Sequence, residues 1–124
     1  MNHLDPRNYS WANNSTIYKW RSFLKVELLK ERHFRSDWSG ELLRECHAHE
    51  GILPRCVIPK SVSWAWMLFS PENTFLLLPE EHIPQAPSRE WCIEKSFELY
   101  GRLHVITWFN SLPWKVPPFK IENY

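Results

Sequence analysis

Apolar residues recur at helical spacing early in the chain. Ile17, Trp20, Phe23, Leu24 and Leu28 are interleaved with Lys19, Arg21, Lys25 and Lys30. With Ser15 or Thr16 placed to cap the first turn, the pattern predicts a helix from about Thr16 to Arg32. Residues 1–14 are polar and read as a loose arm. Phe34 to Gly40 reads as a turn region, and Leu42 to Leu53 as an extended segment carrying the densest polar cluster of the chain. Pro54 to Pro59 reads as loop, and Ser61 to Phe69 alternates weakly enough to fit a short helix or a strand. After the turn at Pro71-Glu72-Asn73, the apolar run Thr74 to Leu78 predicts a buried strand. Pro84 and Pro87 argue against a helix across residues 80–87. Ser88 is placed to cap a helix running to about Tyr100, with Gly101 as its stop, and Leu103 to Leu112 has the spacing of another short helix. Pro113, Pro117 and Pro118 leave residues 116–124 as an extended tail. The order helix, strand, strand, helix, helix describes one small α+β domain over residues 1–124.

Composition narrows the classes of function. A chain of 124 residues with 44% hydrophobic and 15% aromatic content can build a core and is not disordered. A net charge of only +1 argues against a broad phosphate-binding surface, though not against a local patch. No apolar run approaches the ~20 residues of a membrane span, and the polar first fifteen residues do not resemble a signal peptide, so no membrane association is expected. Cys46, Cys56 and Cys92 form no CxxC pair, which argues against a disulfide framework or a four-cysteine zinc site and fits a reducing, cytoplasmic setting. The glycine-rich signatures of nucleotide loops and the GxSxG elbow of hydrolases are absent.

Cys46-His47-Ala48-His49-Glu50 gathers four potential ligands or bases in five residues. In a hairpin, residues near 49 face residues 73–75 across the ladder, and His82, just past the second strand, can fold back over the same place. Two histidines and a carboxylate with a third histidine nearby can hold one divalent ion through nitrogen and oxygen. A further histidine or glutamate can act as general base in a metal-assisted hydrolysis. The competing reading leaves His47 and His49 as polar residues on an exposed strand face.

The ordered series of positions resembles the HNH nuclease family in its ββα-metal form. His49-Glu50-Gly51-Ile52 resembles the first-strand signature, and Asn73-Thr74-Phe75-Leu76-Leu77-Leu78 the second, Asn-x-x-x-Leu-Leu. Glu81-His82 stands where the family usually has Cys-His. Ser36-Asp37-Trp38-Ser39-Gly40 resembles the family's Cys-x-x-Cys-Gly turn with serine in both cysteine places. Residues 100–115 look like a C-terminal helix of phage and mobile-element members. The resemblance covers roughly residues 28–115 and implies a ββα-metal hairpin-helix core flanked by N-terminal and C-terminal helices.

By that resemblance His49 and His82 would hold the metal, with Mg²⁺ or Mn²⁺ expected. Glu50 would stand at the position of the water-activating base. Asn73 would orient that base or support the first strand by hydrogen bonding. An alternative register makes His47 or His49 the base, with Cys46 or Glu50 near the metal. Strand alternation places His47 and His49 on one face and Glu50 on the other, which favours the two histidines acting together. Ser36, Ser39, Leu78 and Glu81 occupy the four zinc-knuckle positions, which argues against a structural zinc. Trp38, Trp64, Trp66, Trp91 and Trp108 are the expected replacement, since each ring can bury about 150–250 Å². Stacking of tryptophans on unpaired bases is the rival use. Arg55 and Lys60 are the candidate phosphate contacts. The expected activity is metal-dependent, HNH-type hydrolysis of phosphodiester bonds in DNA inside a cell, with phage encoding and a homodimer both compatible. The alternative is a degenerate domain that binds nucleic acid or a protein partner without cleaving.

Overall fold

The computed structural model describes residues 14–53, 68–111 and 119–124, with the side chains of residues 14–17 excluded. Arg55, Lys60, Cys56, Trp64, Trp66, the loop at residues 54–59, most of the N-terminal arm and most of the segment at residues 61–69 lie outside them. The described residues form an α+β arrangement. Helix α1 (Asn14–Glu31) precedes a two-stranded antiparallel sheet of β1 (His47–Glu50) and β2 (Thr74–Leu77). Three helices follow: the single turn α2 (Pro79–His82), α3 (Arg89–Tyr100) and α4 (Arg102–Asn110). Among the described residues no helix is long and apolar enough to cross a membrane.

The register pairs His47 with Leu77, Ala48 with Leu76, His49 with Phe75 and Glu50 with Thr74. β2 is buried along its whole length, as its apolar run predicts, while β1 alternates between half-buried histidines and buried Ala48 and Glu50. Pairing is confined to four residues of the longer extended segment, with an isolated bridge between Arg35 and Leu42 before it. The core gathers Leu24 and Leu28 of α1, Ile52 and Leu53 after β1, Phe75 and Leu76 of β2, Ile93 of α3 and Val105 of α4. α3 is capped as expected: the Ser88 hydroxyl accepts from the Trp91 N–H at 3.1 Å. Gly101 has a φ of +88°, a left-handed conformation that glycine adopts without strain, and it ends α3 and begins α4 at once.

Three expectations are corrected. Phe23 sits on the outer side of α1, 53% exposed, so the buried stripe is narrower than the sequence pattern suggests. Residues 79–82 form a helical turn despite the nearby prolines, because Pro79 occupies its first turn and Pro84 falls beyond its end. Residues 119–124 are no outlying tail: Ile121 is fully buried, and Phe119 packs on Phe109 at 5.1 Å between ring centres.

A sheet of two short strands leaves outer edges whose backbone groups need partners when buried. On β2 these partners come from Asp37, through both its backbone and its side chain, and from the Arg32 side chain. The Asp37 carboxylate accepts from Leu76 N–H at 2.7 Å, and Leu76 C=O accepts from Asp37 N–H at 2.8 Å. The Arg32 guanidinium donates to the Asp37 carboxylate (2.6 Å) and to Thr74 C=O (2.7 Å), and also to Tyr100 Oη at 3.0 Å. One buried ion pair therefore joins the end of α1, the turn after it, β2 and the end of α3. Burial raises the Asp37 carboxyl above its ordinary range, opposed mainly by the Arg32 charge. Removing one partner of such a pair leaves an uncompensated buried charge. Asp37→Ala is expected to destabilise the protein by about 3–5 kcal/mol. Asp37→Asn, which keeps an acceptor for Leu76 N–H, should lose less; thermal or urea unfolding measures both.

Candidate functional site

Strand alternation puts the His47 and His49 side chains on the face of β1 opposite Ala48 and Glu50. Helix α2, one turn after β2, then returns His82 to that face. His47 Nδ1 and His82 Nδ1 lie 3.1 Å apart, with the two rings at 88°. The His49 and His82 ring centres are 5.0 Å apart. All three expected histidines therefore converge.

The 3.1 Å separation has a direct chemical reading. With metal–nitrogen bonds of about 2.0–2.1 Å, two imidazole ligands of one ion stand roughly 2.9 Å apart at a right angle and about 3.4 Å apart at the tetrahedral angle. His47 and His82 thus fit as two ligands of a single ion, and without an ion one ring donates to the other. No group of three or more His, Cys, Asp or Glu side chains among the described residues stands ready to hold a metal. Protein side chains therefore offer a pair of nitrogens, with His49 alongside. Burial lowers the His49 pKa below the usual imidazole value, reinforced by the proximity of His82 and opposed by Glu50. Burial likewise lowers that of His82, with His47 and Arg21 adding to the effect and Glu50 opposing it.

Glu50 does not join the histidines. Its side chain, 7% exposed, turns to the other face and meets Arg21 Nη2 at 3.3 Å. The same nitrogen donates to Ala48 C=O at 3.0 Å, so Arg21 covers part of β1 from α1. The Cys46 thiol is raised by burial, which disfavours the thiolate that would bind metal. Cys92 is raised to about 12, again by burial, and is a core thiol.

Asn73 bonds to no histidine among the described residues and serves the backbone. Its Oδ1 accepts from Ile52 N–H (2.9 Å) and Leu53 N–H (2.7 Å), and its Nδ2 donates to Leu53 C=O (3.0 Å) and Leu68 C=O (2.9 Å). These four bonds saturate a fully buried amide and fix the chain as it leaves β1. Gly51 completes that exit, since a Cβ there would lie 2.3 Å from Cys92 Sγ and 2.9 Å from its Cβ.

The four positions matched to zinc-knuckle cysteines also come together, through oxygen and nitrogen. Ser36 Oγ donates to Glu81 Oε1 at 2.5 Å and accepts from Ser39 N–H at 3.2 Å, while Leu78 N–H donates to Glu81 Oε1 at 2.8 Å. Although burial would raise the Glu81 carboxyl, hydrogen bonds from Ser36, Ser39 and Leu78 hold it below its ordinary range. The tryptophan expectation holds in part: Trp38 lies 5.0 Å from Trp91, which packs on Phe75, but Trp38 is itself 53% exposed. Neither this polar knot nor the Arg32–Asp37 pair is legible as a motif, because serines and charges in those places look like solvated surface.

Comparison of the chain with protein-family models, curated proteins and solved structures finds no match.

The lowered imidazole values make stability depend on pH in a definite sense. The unfolded chain takes up protons on these rings near pH 6.5, where the folded chain resists them. Stability is therefore full above that pH and falls as the pH drops through it. The melting temperature is expected to decline from pH 7.5 to 5.5, and a His49→Gln, His82→Gln double variant should flatten the decline.

Proposed function

We propose that this protein is a small metal-dependent endonuclease of the HNH type, cleaving phosphodiester bonds in DNA on the histidine face of its hairpin. The observation that carries this reading is the convergence of His47, His49 and His82, with the first and last at ligand spacing. The order hairpin, helical turn, helix accords with a ββα-metal core, and the Asn73 bonds accord with the strand-supporting role its motif implies. The free thiols of Cys46 and Cys92 accord with a cytoplasmic setting.

In this reading His47 and His82 would hold the ion, and their nitrogen donors suit a first-row transition ion better than Mg²⁺. When bound, the ion supplies Lewis-acid stabilisation of the charge that develops on the phosphate and leaving oxygen. His49, whose lowered pKa keeps the ring neutral at pH 7, accepts the proton of the attacking water. The water oxygen bonds to phosphorus, the bond from phosphorus to the sugar oxygen breaks, and that oxygen takes a proton from solvent water as it leaves, while His49 afterwards releases its own proton to solvent. Glu50, paired with Arg21, takes no direct part in the transfer.

A second reading, binding of nucleic acid without cleavage, is favoured by that same Arg21–Glu50 pair, which occupies the residue at the family's base position. An assay on plasmid and single-stranded DNA with Mn²⁺, Mg²⁺ or EDTA separates the two. Cleavage is expected with Mn²⁺, with a loss of about 10²–10⁴-fold in His49→Ala and comparable loss in His82→Ala. Intact DNA throughout, with binding that survives both substitutions, would establish the non-cleaving reading.

A further inference from the structure

A cleft of about 490 Å³ opens beside α2, on side chains other than the three histidines. Trp38, Glu80, Glu81, Ala86 and Pro87 line it. Its size falls within the roughly 300–1,000 Å³ of ligand clefts. Trp91 props the Trp38 indole, with ring centres 5.0 Å apart, yet Trp38 stays 53% exposed. A large apolar ring is thus fixed in place at the wall of a cleft and left open. The negative charge there is uncompensated, since neither Glu80 nor Glu81 forms an ion pair among the described residues. Glu81 takes bonds from the Ser36 hydroxyl and Leu78 N–H, neutral donors that leave its charge standing. The next cation along the chain, Arg89, turns instead over the Phe119 ring, 4.8 Å from its centre.

We propose that this cleft binds an arginine side chain of a partner peptide, its guanidinium stacked on the Trp38 indole and paired with the Glu80 and Glu81 carboxylates. Charge complementarity decides the occupant. Arginine combines a planar cation that stacks on aromatic faces with a fork of donors that fits carboxylates. Tryptophan is the best aromatic partner for such a cation. The arginine methylenes meet an apolar wall in Ala86 and Pro87. Unpaired nucleic-acid bases also stack on open aromatic rings, but the platforms that hold them line a positively charged groove. Here the groove carries two carboxylates, which repel phosphate. The cleft is separate from the proposed cleavage chemistry, so its ligand binds whether or not the protein cuts DNA. A purely structural role, with Trp38 as a cover for Trp91 and both glutamates solvated, gives no preference for a cation.

An NMR titration of the isotope-labelled, full-length protein with acetyl-Gly-Arg-Gly-amide tests this, with the neutral citrulline peptide as control. The arginine peptide should shift the Trp38 indole N–H and the backbone amides of residues 85–88 at the cleft, and the citrulline peptide should not. Trp38→Ala should weaken binding by about 5- to 30-fold, the loss of one cation–π contact. Glu80→Gln should weaken it by about 2- to 5-fold, the loss of one exposed ion pair. Glu80 is exposed and its carboxylate bonds to nothing among the described residues, so this variant gives the test in an undisturbed fold. Added salt should weaken binding of the arginine peptide. Absence of shifts at these residues, equal shifts with the citrulline peptide, or unchanged affinity in both variants would overturn the proposal. So would shifts of the same residues by oligothymidylate without a response to the arginine peptide, which would make Trp38 a base-stacking platform.

Discussion

The structure depends on satisfying the backbone of a sheet too small to satisfy itself. Among the described residues β1 and β2 pair only with each other, and β2 is buried along its length, so its outer groups cannot turn to water. Asp37 and two arginines make up the difference. Asp37 lies along Leu76 as a third strand would, and Arg32 meets both Asp37 and Thr74 C=O. On the other strand Arg21 takes Ala48 C=O. Ionic groups inside a small domain are a poor source of net stability, because their desolvation offsets their attraction. Their contribution here is geometric: Arg21 ties the β1 edge to α1, and Arg32 ties the β2 edge to the end of α1 and, through Tyr100, to α3.

That geometry leaves one face of the hairpin open for chemistry. Ala48 and Glu50 are turned inward, so the alternate positions carry His47 and His49 outward together. β2 is tied at its start by Asn73 and at its end by the Glu81 carboxylate, which binds Leu78 N–H and Ser36. The turn that holds Glu81 also holds His82, so the polar knot that closes the sheet delivers the third histidine. These places are held by a carboxylate, two serines and the Trp38–Trp91 pair.

Much of this was legible in the residues, and the reasons differ from one to the next. The helix under Leu24 and Leu28, the strand at Thr74, the Ser88 cap and the Gly101 stop each follow from a local rule and stand where that rule puts them. So does the shared face of His47 and His49, which needs only the two-residue period of a strand. What escaped depends on partners distant in sequence. Arg32 and Asp37 look like surface charges until their bonds to the β2 backbone are seen, where both are buried. Phe23 fits the apolar period of α1 yet faces outward, and Ile121, isolated between polar neighbours, enters the core because Phe119 packs on α4. Glu50 reads as a candidate base from the sequence, but Arg21, twenty-nine residues earlier, engages it.

The central claim is that the hairpin and the α2 turn together make one metal site from His47 and His82. Calorimetric titration of the protein with Mn²⁺ tests it most directly. The account predicts one ion per chain, with binding abolished in His47→Ala and in His82→Ala and retained in Glu50→Gln. Absence of binding by the wild-type protein, or binding that survives both histidine substitutions, would contradict it.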